Sequence, residues 1–127
     1  MTTRLDLEDL ELLPDQAVPL SLLTSEALAN AMANATPDAD GTTWVSVSLR
    51  RENGGTVRLE ISNSAPSAMP DQKTASKGAR AQGLGMNLIQ AFAAQLGGPS
   101  ETMHEAGIYR LSTGFPVREM QYDPQDY

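Results

Sequence analysis

The feature that most constrains the fold is a pair of alternating apolar segments joined by an Asn-Gly turn. Residues 45–49 alternate between apolar and polar, and residues 57–61 resume the same alternation after Asn53-Gly54. A period of two places the apolar side chains of a strand on one face, and Asn-Gly is a preferred hairpin turn. The sequence therefore predicts an antiparallel hairpin with one buried face, which other elements must cover.

Two segments with helical periodicity can supply that cover. In residues 19–35 the apolar positions recur every three or four residues, and Pro19 suits a first helical turn after Asp15 as a possible cap. A second helix is predicted to open at 83–85 and to end at Gly97-Gly98. Its apolar face comprises Leu84, Leu88, Ile89, Phe92, Ala93 and Leu96.

The rest of the chain completes an α+β arrangement. Residues 4–13 predict a short strand and a loop, and residues 100–103 and 108–115 predict two closing strands around a turn at 105–107. Residues 63–82 show no period, and a segment of this length without structure is usually either a functional lid or a wrong assignment of elements. Because strands follow one another in runs, the order indicates a mixed, mostly antiparallel sheet with helices on one face.

Composition narrows the classes of protein. The 127 residues carry a net charge of -7 and no cysteine, which argues against a nucleic-acid partner and excludes disulfides and thiolate sites. Neither a secretory signal nor a spanning segment is visible, so we expect a cytoplasmic domain without membrane contact. We predict one domain over residues 1–117, followed by a solvated tail over residues 118–127.

Three polar residues of the first predicted helix form a candidate binding ridge. Glu26, Asn30 and Asn34 are spaced four residues apart and therefore share one stripe, which we expect to lie opposite the apolar stripe. A carboxylate and amide oxygens suit Mg²⁺ whose remaining ligands are water and phosphate oxygens. An ordinary solvated helix face has the same pattern, and spacing alone does not separate the two readings.

A glycine-rich segment precedes the second predicted helix. The Gly83-Leu84-Gly85 sequence lets backbone approach a ligand closely, and free N–H groups at a helix start bind phosphate. Lys77 and Arg80 lie just upstream and supply positive charge. An ordinary loop-to-helix junction uses the same residues.

In this order, the motifs resemble the ATP-binding domain of histidine kinases and their relatives in the GHKL superfamily. Residues 18–32 are similar to the N box of that family, with Glu26 and Asn30 on its signature positions. Residues 83–86 and 95–98 are similar to the glycine-rich G2 box and to the end of the helix that follows it.

The end of the chain refines the resemblance. Residues 109–111 and Phe115-Pro116 are similar to the last strand of the kinases grouped as HWE or HisKA_2 types. The resemblance covers roughly residues 4–117 and depends on several motifs in the right order, not on any one of them.

This resemblance implies a two-layer Bergerat-type sandwich that holds ATP and Mg²⁺ between the two helices and the lid. Glu26 would be the catalytic residue that orients water or the metal near the γ-phosphate. Asn30 would bind Mg²⁺, and Asn34 would lie beside the phosphates. The residues that would surround the phosphates are Lys77, Arg80, Gly83, Leu84 and Gly85. Such a domain positions the γ-phosphate for transfer to a histidine on a separate phosphoacceptor domain, which then serves a response regulator.

The sequence departs from the family in the segment that binds adenine in its relatives. Relatives carry Asp-x-Gly-x-Gly after the second hairpin strand, whereas this chain has Asn63 followed by Ser64-Ala65-Pro66-Ser67. An amide oxygen at Asn63 still accepts a hydrogen bond from the adenine amino group, but without a charge. Replacing the charged acceptor weakens binding by about 1.5–3 kcal/mol. Ile108, where relatives usually carry Thr, removes a second polar group near the base.

These departures leave three functions open: an ATP-binding catalytic domain of a sensor histidine kinase, a degenerate domain that binds a protein partner without ATP, and a serine kinase of the anti-sigma-factor type. His104, the only histidine, is expected at the surface and not as the phosphoacceptor. Since no acceptor helix precedes Arg4, we expect an excised domain or a stand-alone version of one.

Overall fold

The computed structural model describes residues 1–66 and 76–118, and only the helical backbone of residues 76–84. The elements in chain order are β1 (Thr2–Leu7), α1 (Pro14–Asn34), β2 (Trp44–Arg51), β3 (Thr56–Ser64), α2 (Ser76–Leu96), β4 (Ser100–Glu105) and β5 (Ile108–Pro116). The predicted α+β class and the predicted order of elements are confirmed.

The five strands form one mixed sheet in the order β1-β2-β3-β5-β4. Only the β1–β2 pair is parallel, while β2–β3, β3–β5 and β4–β5 are antiparallel. The predicted hairpin is present, and both Gly54 and Gly55 take positive φ angles in its turn, which an L side chain rarely adopts. The two helices pack against each other and against the strands on one side of the sheet.

The helices pack on one face of the sheet because alternate strand residues are apolar and share that face. The buried apolar residues from both layers form one core: Leu23, Ala27, Ala31, Val45, Val47, Val57, Leu59, Ile61, Ile89, Ala93, Leu96, Leu111 and Phe115. On the other sheet face, Arg58 donates a hydrogen bond to Ser112 at 2.7 Å and pairs with Glu52. This face is polar and lies away from both helices.

Helix α1 begins earlier than predicted. Pro14 occupies its first turn, and Pro19 lies inside the helix. The predicted cap at Asp15 is wrong, since the N-cap residue is Leu13 and no side chain caps the helix there. Proline suits several early helical positions because the first four N–H groups have no intrahelical acceptor, so Pro19 fits inside a helix that starts at Pro14 as well as one that starts at Pro19.

Helix α2 also begins earlier, at Ser76 instead of residue 83. The predicted lid over residues 63–82 is therefore partly wrong, because 63–64 belong to β3 and 76–82 are helical, while 67–75 lie outside the described residues. Lys, Ala, Arg and Gln between positions 77 and 82 are good helix formers, but Gly78 and Gly83 interrupt the helical pattern in the sequence.

The end of α2 agrees with the prediction. Gly97 takes a φ of 96°, and its N–H donates to the carbonyl oxygen of Ala94 at 3.1 Å. The Gly98 N–H donates to the carbonyl oxygen of Ala93 at 3.2 Å, which completes a Schellman cap. A Cβ atom on Gly98 would lie 1.8 Å from the carbonyl oxygen of Gly114, so only glycine fits where α2 meets β5.

A buried glutamine joins the start of α1 to the end of β5. Gln16 is 0% exposed, and its Nε2 donates to the carbonyl oxygen of Pro116 at 2.7 Å. Its Oε1 accepts from the backbone N–H of Arg118, also at 2.7 Å. Both halves of the amide are therefore satisfied by backbone about 100 residues away in sequence. Arg118 is described, and residues 119–127 of the predicted tail lie outside the described residues.

Candidate nucleotide-binding site

The polar ridge of α1 exists as a column of half-buried side chains. Asn34 Nδ2 donates to the Asn30 carbonyl oxygen at 2.8 Å and to Asn30 Oδ1 at 3.0 Å. Glu26, one turn before Asn30, is also half-buried. The ridge lies beside the buried stripe that includes Ala27 and Ala31, so the expectation that it lies opposite the apolar stripe is wrong. Successive residues of a helix are 100° apart, so Glu26 and Asn30 lie next to Ala27 and Ala31 and are partly shielded from water by the same packing.

The ridge faces the second helix. A Cβ atom placed on Gly85 would lie 3.7 Å from Oε2 of Glu26, its nearest neighbour in the described part of the chain. A side chain at position 85 would project from α2 into the space in front of the Glu26 carboxylate. The absence of a side chain on Gly85 thus keeps the carboxylate of Glu26 open toward this helix.

Residues 83–85 lie inside α2 and not at its start as predicted. Within a helix each backbone N–H bonds to the carbonyl oxygen four residues earlier, so this helical conformation does not favour the phosphate role of these amides, which stays a prediction. The free amides of the helix belong to its first turn, which begins at Ser76. Lys77 lies in that turn and Arg80 one turn later, but the side chains of residues 76–84 lie outside the described residues, so their predicted roles stay predictions.

Asn63 combines complete burial with an unpartnered acceptor. It lies near the end of β3 and is 0% exposed, and its Nδ2 donates to the carbonyl oxygen of Ser64 at 3.1 Å. Its Oδ1 is buried and has no hydrogen-bond partner among the described residues. A buried acceptor left unpaired costs about 1–3 kcal/mol, so a group of this kind marks either strain or a ligand position.

Two backbone hydrogen bonds fix the segment that follows Asn63. The Thr36 N–H donates to the Ser64 carbonyl oxygen at 2.9 Å, which ties the segment after α1 to the end of β3. Since Thr36 follows Asn34 by two residues, the Asn34 end of the ridge and Asn63 lie at the same edge of the sandwich. The Ala65 N–H donates to the Gly107 carbonyl oxygen at 2.8 Å and so attaches the same segment to the β4–β5 turn.

His104 contributes a contact that the sequence did not predict. It is an exposed residue of β4, as expected, and its Nε2 lies 2.6 Å from the carbonyl oxygen of Ala65. With the Nε2 nitrogen protonated, the ring donates to that oxygen, and both backbone groups of Ala65 are then held by the β4–β5 hairpin. Its neighbour Tyr109 is the cross-strand partner of Asn63, and burial raises the pKa of its hydroxyl.

The donor set suits magnesium on chemical grounds. Mg²⁺ takes hard oxygen ligands, commonly one or two from protein and the rest from water and phosphate. The amide oxygen of Asn30 and the carboxylate of Glu26 are such donors, one turn apart on α1. Among the described residues, no three His, Cys, Asp or Glu side chains converge as a protein-only metal site would require. Neither described helix is long and apolar enough to cross a membrane.

The fold is that of histidine kinase catalytic domains. The histidine kinase domain of the Erythrobacter litoralis blue-light activated histidine kinase has a TM-score of 0.72 at 17% identity, covering 91% of this chain and 51% of that chain. The mycobacterial sensor histidine kinase MprB has a TM-score of 0.66 at 17% identity, covering 94% and 83%. Full-length ShkA, solved in complex with AMPPNP, has a TM-score of 0.62 at 19% identity, covering 94% and 27%.

Sequence comparisons add nothing to these structural matches. No protein-family model and no curated protein matches the chain. The chain spans 35% of the length of the longer Erythrobacter litoralis kinase and 55% of the matching chain of the Acinetobacter baumannii histidine kinase AdeS. The likeness therefore establishes the fold, and the activity must be argued from the site.

Proposed function

We propose that this chain is the ATP-binding catalytic domain of a two-component sensor histidine kinase of the HWE or HisKA_2 type. It would position the γ-phosphate of ATP for transfer to a histidine nitrogen on a separate phosphoacceptor domain, with release of ADP. A response regulator would then receive the phosphoryl group. The observation that carries the proposal is the buried, unpartnered Oδ1 of Asn63 at the edge where the α1 ridge ends.

Asn63 is suited to read adenine. Its Nδ2 donates to the Ser64 carbonyl oxygen, and this bond orients the amide so that Oδ1 is the group left to contact a base. The exocyclic amino group of adenine is a donor and complements that oxygen. The corresponding group of guanine is a carbonyl oxygen, which would repel it. The fixed backbone around Ser64 and Ala65 supports this orientation.

The ridge is suited to the triphosphate. Asn30 would hold Mg²⁺, which supplies positive charge that neutralises phosphate oxygens during phosphoryl transfer. Asn34 donates to Asn30 Oδ1 and so fixes the direction of that amide. Glu26 would orient water or the metal at the end of the phosphate chain, and Gly85 keeps the space beside its carboxylate clear. Lys77 and Arg80 would add charge from α2, near the first turn of that helix.

The decisive experiment is calorimetric titration with AMPPNP and Mg²⁺, repeated with the guanine analogue. We expect saturable binding of the adenine analogue and binding of the guanine analogue that is weaker by about tenfold or more, because an oxygen faces an oxygen. Asn30→Ala should abolish the dependence on Mg²⁺. The exposed Gln90, on the outer part of α2, provides a matched control in Gln90→Ala, which should bind as the wild type does.

Restoring the charge that relatives carry gives a second test. Asn63→Asp should tighten adenine-analogue binding by about tenfold, because hydrogen bonds to charged groups are worth about 1.5–3 kcal/mol against about 1 kcal/mol for neutral ones. Without nucleotide the same variant should melt earlier, since a carboxylate oxygen would then face the Ser64 carbonyl oxygen. Unchanged affinity in a folded Asn63→Asp variant would contradict the role assigned to residue 63.

A second candidate is a domain that retains this fold but binds a protein partner without ATP. The neutral amide at Asn63 and the replacement of both box glycines by Ala65 and Ser67 favour it. Under that alternative, millimolar AMPPNP gives no heat with the folded wild type, while an isolated phosphoacceptor domain or response regulator still binds. Heat from AMPPNP, together with transfer of phosphate to a phosphoacceptor domain, would eliminate it.

A further inference from the structure

Strand β1 is an open edge of the sheet. Within residues 1–66 and 76–118 it pairs with β2 alone, and all six of its residues, Thr2–Leu7, are exposed. Its pairing with β2 is regular over the whole strand, without proline, glycine or an interruption of register. Edge strands usually carry such features because a regular free edge is a template for a further strand.

The hydrogen-bonding groups at this edge can be assigned from the pairing with β2. The N–H of Thr2 donates to the Thr43 carbonyl oxygen at 2.8 Å, and the N–H of Glu8 donates to the Leu49 carbonyl oxygen at 2.9 Å. Backbone groups of successive strand residues alternate between the two sides. Even-numbered residues therefore face β2, and Thr3, Leu5 and Leu7 direct their N–H and C=O groups to the free edge.

The side chains at this edge are apolar on one face of the sheet. Leu5 is 65% exposed and Leu7 is 56% exposed. Their partners in β2 are Val47 and Leu49, which lie on the face that the helices cover. Helix α1 packs over β2 and β3 and leaves the leucines of β1 without that cover. The other face of β1 carries Arg4 and Asp6, and Asp6 forms an ion pair with Arg50.

We propose that β1 pairs with β1 of a second copy of this chain, antiparallel and about a two-fold axis at Leu5. The two sheets would join into one continuous sheet. Leu5 would exchange hydrogen bonds with Leu5 of the second copy, and Thr3 with Leu7. Arg4 would lie opposite Asp6 of the second copy, twice by symmetry, in the closer type of antiparallel pair.

The charges select this register over its neighbours. The outward-facing residues can also pair about an axis at Arg4 or at Asp6. An axis at Arg4 sets two arginines opposite each other, and an axis at Asp6 sets two aspartates opposite each other, which is destabilising. Of these three registers, only the one about Leu5 avoids like charges directly opposite each other, and it uses Thr3, Leu5 and Leu7 together. The self-complementary Arg4-Leu5-Asp6 sequence thus argues for a second copy as the occupant.

A charge-exchange experiment tests both the surface and the register. In sedimentation equilibrium, we expect the wild type to dimerise reversibly, and Arg4→Asp or Asp6→Arg alone to weaken the dimer by about tenfold or more, because each sets like charges opposite. An equimolar mixture of these two variants should associate again. In that mixed dimer, each chain with two acidic residues faces a chain with two basic residues.

Leu5→Pro provides a variant that does not involve charge. The Leu5 N–H points away from β2, so a proline at an edge position preserves the β1–β2 bonds and removes two bonds of the proposed dimer. We expect this variant to be monomeric with a circular dichroism spectrum like that of the wild type. A wild type that stays monomeric up to about 1 mM would overturn the proposal, because a dissociation constant above that value is too weak for a specific interface. So would a dimer unaffected by the single variants, or a mixture that fails to associate.

Discussion

Two buried amides at opposite ends of the sandwich show how differently the same chemical group is used. Gln16 and Asn63 are both 0% exposed. Gln16 donates to Pro116 and accepts from Arg118, so each half of its amide is satisfied by the protein. Asn63 donates to Ser64 but leaves its oxygen without a partner among the described residues.

Under the proposed function, the difference separates a structural amide from a binding amide. A fully satisfied buried amide stabilises the fold, and its loss leaves backbone groups unpaired. An amide with an unpartnered oxygen costs stability in the free protein and recovers that cost when a donor arrives. The Gln16 end is therefore held by its own hydrogen bonds, while at the Asn63 end the proposed function assigns the unpartnered oxygen to a ligand. Three predictions test this contrast, from the largest expected effect to the smallest.

The largest effect should come from replacing each amide with leucine, which is apolar and has no hydrogen-bonding group. Gln16→Leu should lower the free energy of unfolding by about 2–4 kcal/mol, because the Pro116 carbonyl and the Arg118 N–H both lose their partner. Asn63→Leu should change it by less than about 1 kcal/mol, because the Ser64 carbonyl oxygen keeps its bond from Thr36 and an unpaired oxygen is removed.

Urea denaturation of both variants measures the two free energies directly. The slope of each transition should match the wild type, which shows that the same surface is exposed on unfolding. Equal losses in the two variants would abolish the distinction between the two ends. An AMPPNP titration of Asn63→Leu, in turn, should give no heat although the protein is folded.

A pair of glycines in or next to α2 should respond to alanine with opposite signs. Gly98→Ala should destabilise the fold by about 1–3 kcal/mol, because the new Cβ meets the Gly114 backbone oxygen, which cannot move aside easily. Gly85→Ala should stabilise it by about 0.5–1 kcal/mol, since alanine is the better helix former and the new Cβ has ordinary contacts.

Thermal unfolding of the two alanine variants gives the sign, and nucleotide titration adds the functional part. Despite its higher stability, Gly85→Ala should bind AMPPNP more weakly, because its methyl group enters the space beside Glu26. A destabilised Gly85→Ala variant would indicate that position 85 is constrained by packing and not by the site.

The smallest effect concerns alkaline pH at the Asn63 end. Burial raises the pKa of Tyr109 above its model-peptide value of 10.0. The folded state therefore prefers the neutral phenol, and the stability that this group contributes is present below pH 10.0 and falls as the pH rises through the folded-state pKa. Tyr109→Phe should lose less stability than the wild type above pH 10.0, and denaturation on either side of that pH measures the difference. Parallel losses in the two proteins would exclude Tyr109 as the source.

The periodic elements were predictable because they are set by local pattern. The alternation on both sides of Asn53-Gly54 and the apolar face ending at Gly97 depend only on neighbouring residues, and the hairpin and the end of α2 were found where predicted. The starts of both helices were mistaken. Proline is tolerated at several early positions, and glycine in α2 is retained because the packed helix overrides its poor propensity.

The site was predictable only in part. The column of Glu26, Asn30 and Asn34 follows from spacing on one helix, but its position beside the apolar stripe was predicted wrongly, because spacing shows that residues share a stripe and not how far that stripe lies from the core. The contact between His104 and Ala65 joins residues 39 apart and has no signal in either segment. The same holds for Gln16, whose partners are contributed by the far end of β5.

The close approach of Gly98 to Gly114 also has a mechanical consequence for α2. This helix is fixed at its last turn by the Schellman cap and the glycine contact, and its 21 residues span about 31 Å. Any tilt about that fixed point is amplified along the rod. A rotation of about 5° about Leu96 would displace the helix by about 1.4 Å at Gly85 and by about 2.6 Å at Ser76, given a rise of 1.5 Å per residue. The end of α2 that begins at Ser76 thus has the longest lever arm, and the distance between Gly85 and Glu26 changes about half as much.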